Sequence, residues 1–433
     1  MSVAAAIAPG VRLAYVTAGF PDLTQSFVRR EIETVRALGV PLTVFSVRPP
    51  LRRFPDPTLE RFVAETVYGG RRVSAGLIAA HVYFLCRAPR RYLGALGRLL
   101  ALAFRQRGCG TLPLRTCAVF PMSVYFARVM AQRGVTQVHA HFANHPTTAA
   151  RIAATLLGIP FTFTGHAWDI FVPANQIGLA DKIADAAAVV TCTEFNRKLL
   201  CDLVPARERA KITVCYHGIA LPETTGPTRE DGLIVAVGRL TAKKGFHHLV
   251  AACAELARAG TPFHCVIIGE GEERAALAAA IGRAGLEDQI TLAGARPHDE
   301  VMRWIARAAV FALPSMIAKD ASMDGIPNVI LEAFAVETPV ISTRLSGIPE
   351  VVREGETGVL VPPDDAAALA RALREVLAHP ETHRAQARRG HALVAAAFDL
   401  DRNVRRFLEW ITASHAAAAD APQAMAASRR GVS

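Results

Sequence analysis

Residues 233–250 read LIVAVGRLTAKKGFHHLV. An apolar, largely β-branched run enters a short basic turn, and a helical pattern begins after Gly245, so the stretch predicts a buried strand, a turn and a helix. The unit recurs downstream, where FHCVIIG (263–269), ITLAG (290–294), VFALPS (310–315) and PVIST (339–343) are predicted strands with helix-length segments between them. It recurs upstream as well. RLAYVTAG (12–19), PLTVFSV (41–47), QVHAHFA (137–143), PFTFTGH (160–166) and AAVVTCT (187–193) read as buried strands, with a helix over 23–38. Strands alternating with helices predict parallel sheets in an α/β fold. The Pro/Gly/Thr-rich stretch LPETTGPTREDG (221–232) divides the two series. Two domains with a cleft between them are expected, over 1–222 and 223–394. A last helix, about 395–415, is expected to pack back on the first domain, and the small-residue tail 416–433 is expected to be disordered.

The chain of 433 residues has a formal charge of +11, is 51 % hydrophobic and only 20 % charged, which excludes a disordered chain. The charge is localised. Residues 66–168 hold twelve arginines and no Asp, Glu or Lys, leaving the remainder at −1. Eight scattered cysteines show no C-x-x-C pair or zinc spacing, and no basic leader or ~20-residue apolar run is present. A reduced, cytoplasmic setting is expected.

Three constellations carry chemistry. Arg239 and Lys244 flank the turn after the 233–239 strand, where open α/β sheets bind ligands; they suit a diphosphate, or they form a solvated basic turn. Asp324 precedes a Gly-Ile-Pro turn, a helix starts near Asn328, and Glu332 lies one to two turns in. Free N–H groups at such a start suit an anion, and Glu332 suits ribose hydroxyls or the helix dipole. His166 ends a strand in FTFTGHAWDIF (161–171), suited to a sugar hydroxyl, to proton transfer or to a structural role. His139 and His141, two residues apart, share a face.

Together the motifs resemble family 4 retaining glycosyltransferases of the GT-B fold, in the exopolysaccharide or colanic-acid branch. The resemblance rests on FPDLTQSFVRREI (20–32), VHAHFANHPTTAARIAATLLGIPFTFTGHAWDIF (138–171), VGRLTAKKGFHHLVAA (237–252), IIGEGEER (267–274), DGIPNVILEAFAVETPVIST (324–343), SGIPEVV (346–352) and GETGVLVPPDD (355–365). It implies two Rossmann-like parallel-sheet domains and transfer of a sugar from a nucleoside diphosphate sugar, which is substrate rather than cofactor. It implies that Arg239 and Lys244 bind the diphosphate, His166 the transferred sugar and Glu332 the ribose. Asp324 stands where the family usually has Glu, one methylene shorter, at the donor-sugar contact. Gly269, Gly294, Gly325, Asn328 and Val329 are expected to complete the donor site. Neither a metal nor another cofactor is expected, since no D-x-D-like motif with helper carboxylates stands out.

The resemblance also implies a glycan or lipid-linked glycan acceptor. Within 81–107, a helix from Pro89 carries Leu93, Leu96, Leu100, Ala103 and Phe104 on one face and Arg91, Arg98 and Arg105 on the opposite one. It suits an anionic membrane surface on the inner face of the cell membrane, or it is an ordinary domain helix with its leucines in the core. A nicotinamide dehydrogenase would need G-x-G-x-x-G, which Thr17-Ala18-Gly19-Phe20 and Gly269-Glu270-Gly271-Glu272 lack. A GT-B epimerase or phosphorylase would not account for the paired cations and carboxylates. A nucleic-acid binder would need aromatics interleaved with the basic residues, and aromatics are only 7 %.

Overall fold

The computed structural model describes residues 10–22, 25–50, 57–69, 74–106, 110–221 and 229–413. The 416–433 tail, Arg71, Arg72, Arg107 and most of the 221–232 stretch lie outside them. The described chain divides into two compact units. The first holds 10–192, 197–215 and 404–413; the second holds 193–196 with the rest of 216–403.

The first unit is built on β1 (Leu13–Gly19), β2 (Leu42–Arg48), β3 (Val67–Tyr68), β4 (Gln137–His141), β5 (Phe161–Gly165), β6 (Ala188–Thr191) and β7 (Ile212–Val214). All pair in parallel, in the order β3-β2-β1-β4-β5-β6-β7. Both faces are covered, so the central strands are buried along their length, and polar Gln137, His139 and His141 on β4 and Thr162 and Thr164 on β5 are buried between apolar neighbours. The helices used below are α1 (Ser26–Ala37), α2 (Ala75–Arg87), α3 (Pro89–Arg105), α4 (Leu112–Gln132) and α5 (His145–Leu157). The second unit repeats the plan with β8 (Glu230–Val237), β9 (His264–Ile268), β10 (Ile290–Gly294), β11 (Ala308–Leu313), β12 (Val340–Thr343) and β13 (Val359–Val361), ordered β10-β9-β8-β11-β12-β13. Here α6 (Phe246–Arg258) follows the basic turn and α7 (Asn328–Ala335) follows the Gly-Ile-Pro turn. The two Rossmann-like parallel sheets expected from the sequence are therefore present.

One sequence expectation is corrected. In α3 the face turned to the core is Tyr92, Ala95, Leu99, Leu102 and Ala103, whereas Leu93, Leu100 and Phe104 are 59 %, 52 % and 63 % exposed. The helix has two apolar stripes, and periodicity alone cannot say which one the core takes. The helix packs on the core as the ordinary-helix alternative expected, but through Leu99 and Leu102, with Leu96 partly buried, rather than through Leu93 and Leu100.

Candidate functional site

In the second unit the candidate residues gather at the carboxyl ends of the strands. The loops after β8, β9 and β10 are joined by backbone bonds: Gly238 N–H to Ile268 O at 3.0 Å, Leu240 N–H to Glu270 O at 2.9 Å, and Gly269 N–H to Gly294 O at 2.9 Å. Gly269 has φ +146°, and a Cβ there would run into the Gly238 carbonyl, so its glycine is required by loop packing. Gly245, at φ +64°, likewise turns the chain against the Pro314 carbonyl before α6 begins. That turn sets Lys243 and Lys244 side by side. Lys243 Nζ lies 2.9 Å from Asp324 Oδ1 and Lys244 Nζ 2.7 Å from Oδ2, with all three side chains mostly buried.

Burial pushes the Asp324 carboxyl up, but Lys244 and then Lys243 outweigh it and bring it down to about 2. The carboxylate is ionised, and with exposed Arg239 the cluster carries a net +2. Lys243 was missed in the sequence, where only the second lysine matched the motif. Doubled lysine is itself the signal, because a 3₁₀ turn over Ala242–Lys244 lets both reach one carboxylate. Since the folded pKa is depressed, this carboxylate's stabilisation is present above pH about 4 and lost as pH falls toward 2. It is worth roughly 2 kcal/mol. Acid titration followed by circular dichroism should therefore show a stability loss in that window that Asp324→Asn flattens.

Gly325, Asn328 and Val329 stand half-buried at the start of α7, which has no side-chain cap; Ile330 N–H donates to the Pro327 carbonyl at 3.0 Å, so the Asn328 and Val329 N–H groups are the ones suited to an anion. Glu332 is the fifth residue of α7 and 8 % exposed. That places it beyond the first turn, where dipole stabilisation fades.

In the first unit, His166 follows β5 and is buried against the rings of Phe27 and Phe142, 4.9 and 4.5 Å between centroids. Its Nε2 lies 3.3 Å from His141 Nδ1, and His141 Nε2 lies 3.4 Å from Glu31. Burial pushes Glu31 up, yet His141 foremost, with His139 and the Tyr15 hydroxyl, brings it down to about 2. His139 is structural. Its two nitrogens bond Thr162 and Thr164 at 2.8 and 3.0 Å, and burial drives its pKa well down. Asp169 holds the backbone under His166, accepting from Ala143 N–H at 2.6 Å, Ala167 N–H at 3.0 Å and His166 N–H at 3.2 Å. Glu31, Asp169 and the buried Lys182 were not picked out as site residues in the sequence. A lysine between apolar Leu179 and Ile183 was the available signal for Lys182.

Residues 221–392 match the family model of glycosyl transferases group 1. The chain is 40 % identical over 184 residues to the amylovoran biosynthesis glycosyltransferase AmsK of Erwinia amylovora, an alignment covering 41 % of this chain and 44 % of that protein. It is 44 % identical over 169 residues to WcaL of Salmonella typhimurium, whose name assigns it to colanic acid biosynthesis, covering 38 % and 42 %. The matches thus span under half the length of these curated relatives. Among solved structures, Anabaena Alr3699/HepE in complex with UDP superposes with a TM-score of 0.71 at 15 % identity, over 93 % of this chain and all of that one. This likeness is one of fold, and it agrees with the GT-B class expected from the sequence.

Proposed function

We propose that the chain transfers a sugar, with retention at the anomeric carbon and without a metal, from a nucleoside diphosphate sugar to a glycan acceptor carried on a lipid. The observation that carries this reading is the Lys243–Asp324–Lys244 cluster beside the uncapped start of α7. A departing diphosphate needs fixed positive charge where its own charge develops. Arg239, the two lysines and the α7 N–H groups supply it; Glu332 holds the ribose; Asp324 and His166 contact the sugar. A donor phosphate oxygen takes the acceptor proton, so no protein nucleophile is required. The glycosyltransferase group 1 match over 221–392, the UDP held by HepE and the polysaccharide roles named for AmsK and WcaL support the same assignment.

A thermal-shift panel of nucleoside diphosphates and their sugars tests it. Stabilisation by at least one of them is expected, unchanged by EDTA and weakened by Glu332→Ala beyond that variant's own loss of stability. No response to any nucleotide, or one abolished by EDTA, would sink it.

Membrane attachment belongs to the same proposal. No helix among the described residues is long and apolar enough to cross a bilayer. Yet Ile78, Val82 and Leu85 on α2, Leu93, Leu100 and Phe104 on α3, and Leu114 on α4 are all exposed, within the acid-free segment. Exposed apolar side chains beside arginines suit an anionic bilayer surface. Flotation with liposomes containing anionic lipid should carry the protein upward, less so at high salt and for a Leu93→Ser/Leu100→Ser/Phe104→Ser variant. Failure to float at any salt concentration removes this part.

A further inference from the structure

Helix α1 meets the first unit's sheet through two residues one helical turn apart, and each of them faces an imidazole. Phe27 packs on His166, 4.9 Å between ring centroids, and Glu31 Oε1 lies 3.4 Å from His141 Nε2. The strands set the two imidazoles beside each other. His141 stands opposite Thr164 in the β4–β5 register, and His166 follows Thr164 by two residues, the period of one sheet face. The ring planes are 23° from parallel, their centroids are 5.5 Å apart, and His141 Nδ1 and His166 Nε2 make the 3.3 Å contact. Glu31, His141 and His166 thus form a row in which each touches the next.

Packing alone does not call for a carboxylate at position 31. Its side chain is only 12 % exposed, and an apolar residue would seat α1 on the sheet without desolvating a charge. Tyr15 Oη donates to Glu31 Oε1 at 2.7 Å, and His141 Nε2 approaches the same oxygen. The neighbouring His139, Tyr15 and Cys215 stay neutral at pH 7. His139 bonds two threonine hydroxyls, and burial drives its pKa well down. Burial, and then Glu31, push Tyr15 well up and the Cys215 thiol up to about 12. His141 is therefore the group on which the carboxylate acts. Its Nε2 is fully buried and has no other partner among the described residues.

An ionised carboxylate accepts hydrogen bonds and cannot donate one, so it selects the form of His141 with a proton on Nε2. In the neutral ring Nδ1 is then an acceptor, and the proton that bridges the 3.3 Å contact must come from His166 Nε2. We propose that Glu31 is a positioning residue which, through His141, holds His166 in its Nε2–H form and makes His166 Nδ1 an acceptor. A ring in that form takes a hydrogen bond from a hydroxyl at Nδ1 and cannot give one there. That the hydroxyl belongs to a sugar rests on the glycosyltransferase reading; the placement of the protons does not.

The test is nitrogen-15 NMR of the full chain labelled with nitrogen-15 histidine at pH 8, with His141→Gln and His166→Gln assigning the signals. Both rings are expected to carry their proton on Nε2. Glu31→Leu, which fills the space without an acceptor, should turn both into tautomer mixtures. Glu31→Gln, whose amide oxygen still accepts from Nε2–H, should restore the wild-type pattern. Melting temperatures of the variants are the control for folding. A proton on Nδ1 of either ring in the unmodified protein, an imidazolium at His141 included, would overturn the proposal without recourse to any variant. So would tautomers indifferent to a folded Glu31→Leu. Nucleoside diphosphate binding measured in parallel separates the two claims. Locked tautomers without nucleotide binding sink the transferase reading and keep the positioning role, and nucleotide binding with unlocked tautomers sinks the positioning role alone.

Discussion

Lys244→Ala should lower turnover about 10²–10³-fold while the protein remains folded, the scale on which one preorganised charge-stabilising donor counts. The variant removes the ammonium 2.7 Å from Asp324 Oδ2 and takes the cluster from +2 to +1. Asp324 is still met by Lys243 at 2.9 Å, and the turn is held by backbone bonds, among them Met316 N–H to Lys243 O at 2.9 Å, so no buried charge is orphaned. The loss should therefore appear in the chemical step more than in the melting temperature. Lys244→Arg should recover part of it, because the charge returns while the compact ammonium geometry does not. Steady-state transfer with donor affinity measured separately checks this. Near-normal kcat in the alanine variant would show that the leaving diphosphate is stabilised elsewhere.

Asp169→Ala should be the most damaging single change for stability, costing roughly 3–5 kcal/mol. Its fully buried carboxylate is shared by three N–H groups from two loops, one after β4 and one after β5. Burial raises its pKa, with the Ala143, Ala167 and His166 N–H groups opposing that rise. Deleting the side chain leaves those donors buried and unpaired. Urea denaturation followed by circular dichroism reads the loss directly. Transfer should fall as well, even at temperatures where the variant stays folded, because the backbone that seats His166 has lost its tie. Asp169→Asn keeps one acceptor oxygen and should lie between. Wild-type stability for Asp169→Ala would mean that water satisfies these groups as well as the carboxylate does.

Both results bear on what a sequence makes visible. Interior strands were legible because parallel strands covered on both faces are unbroken apolar runs, as in β8 and β9. The edge strands β3, β7 and β13 were not, being two or three residues long and too short for any period to register. The helix start at Asn328 was legible from Gly-Ile-Pro, since proline stops the preceding backbone from joining the helix. The orientation of α3 was not, because a helix with two apolar stripes and one arginine stripe fits the core in more than one way. At the site, Arg239, Lys244, Asp324 and Glu332 were picked out by motif and family resemblance, and the structure brings Lys244 and Asp324 into contact. Glu31 and Asp169 did not, since their importance comes from long-range contacts: Glu31 with His141, 110 positions away, and Asp169 with Ala143 on another loop.

The return of residues 404–413 to the first unit has a consequence for synthesis. Gln137 Nε2 donates to Ile411 O at 3.0 Å, and His139 packs edge-on against Phe407. Both partners leave the ribosome after the whole of the second unit has emerged. The domain begun first is thus the one completed last. Until residues 404–413 arrive, Gln137 lacks its Ile411 acceptor and His139 its Phe407 contact, so the centre of the first sheet is completed only after the second unit has been made.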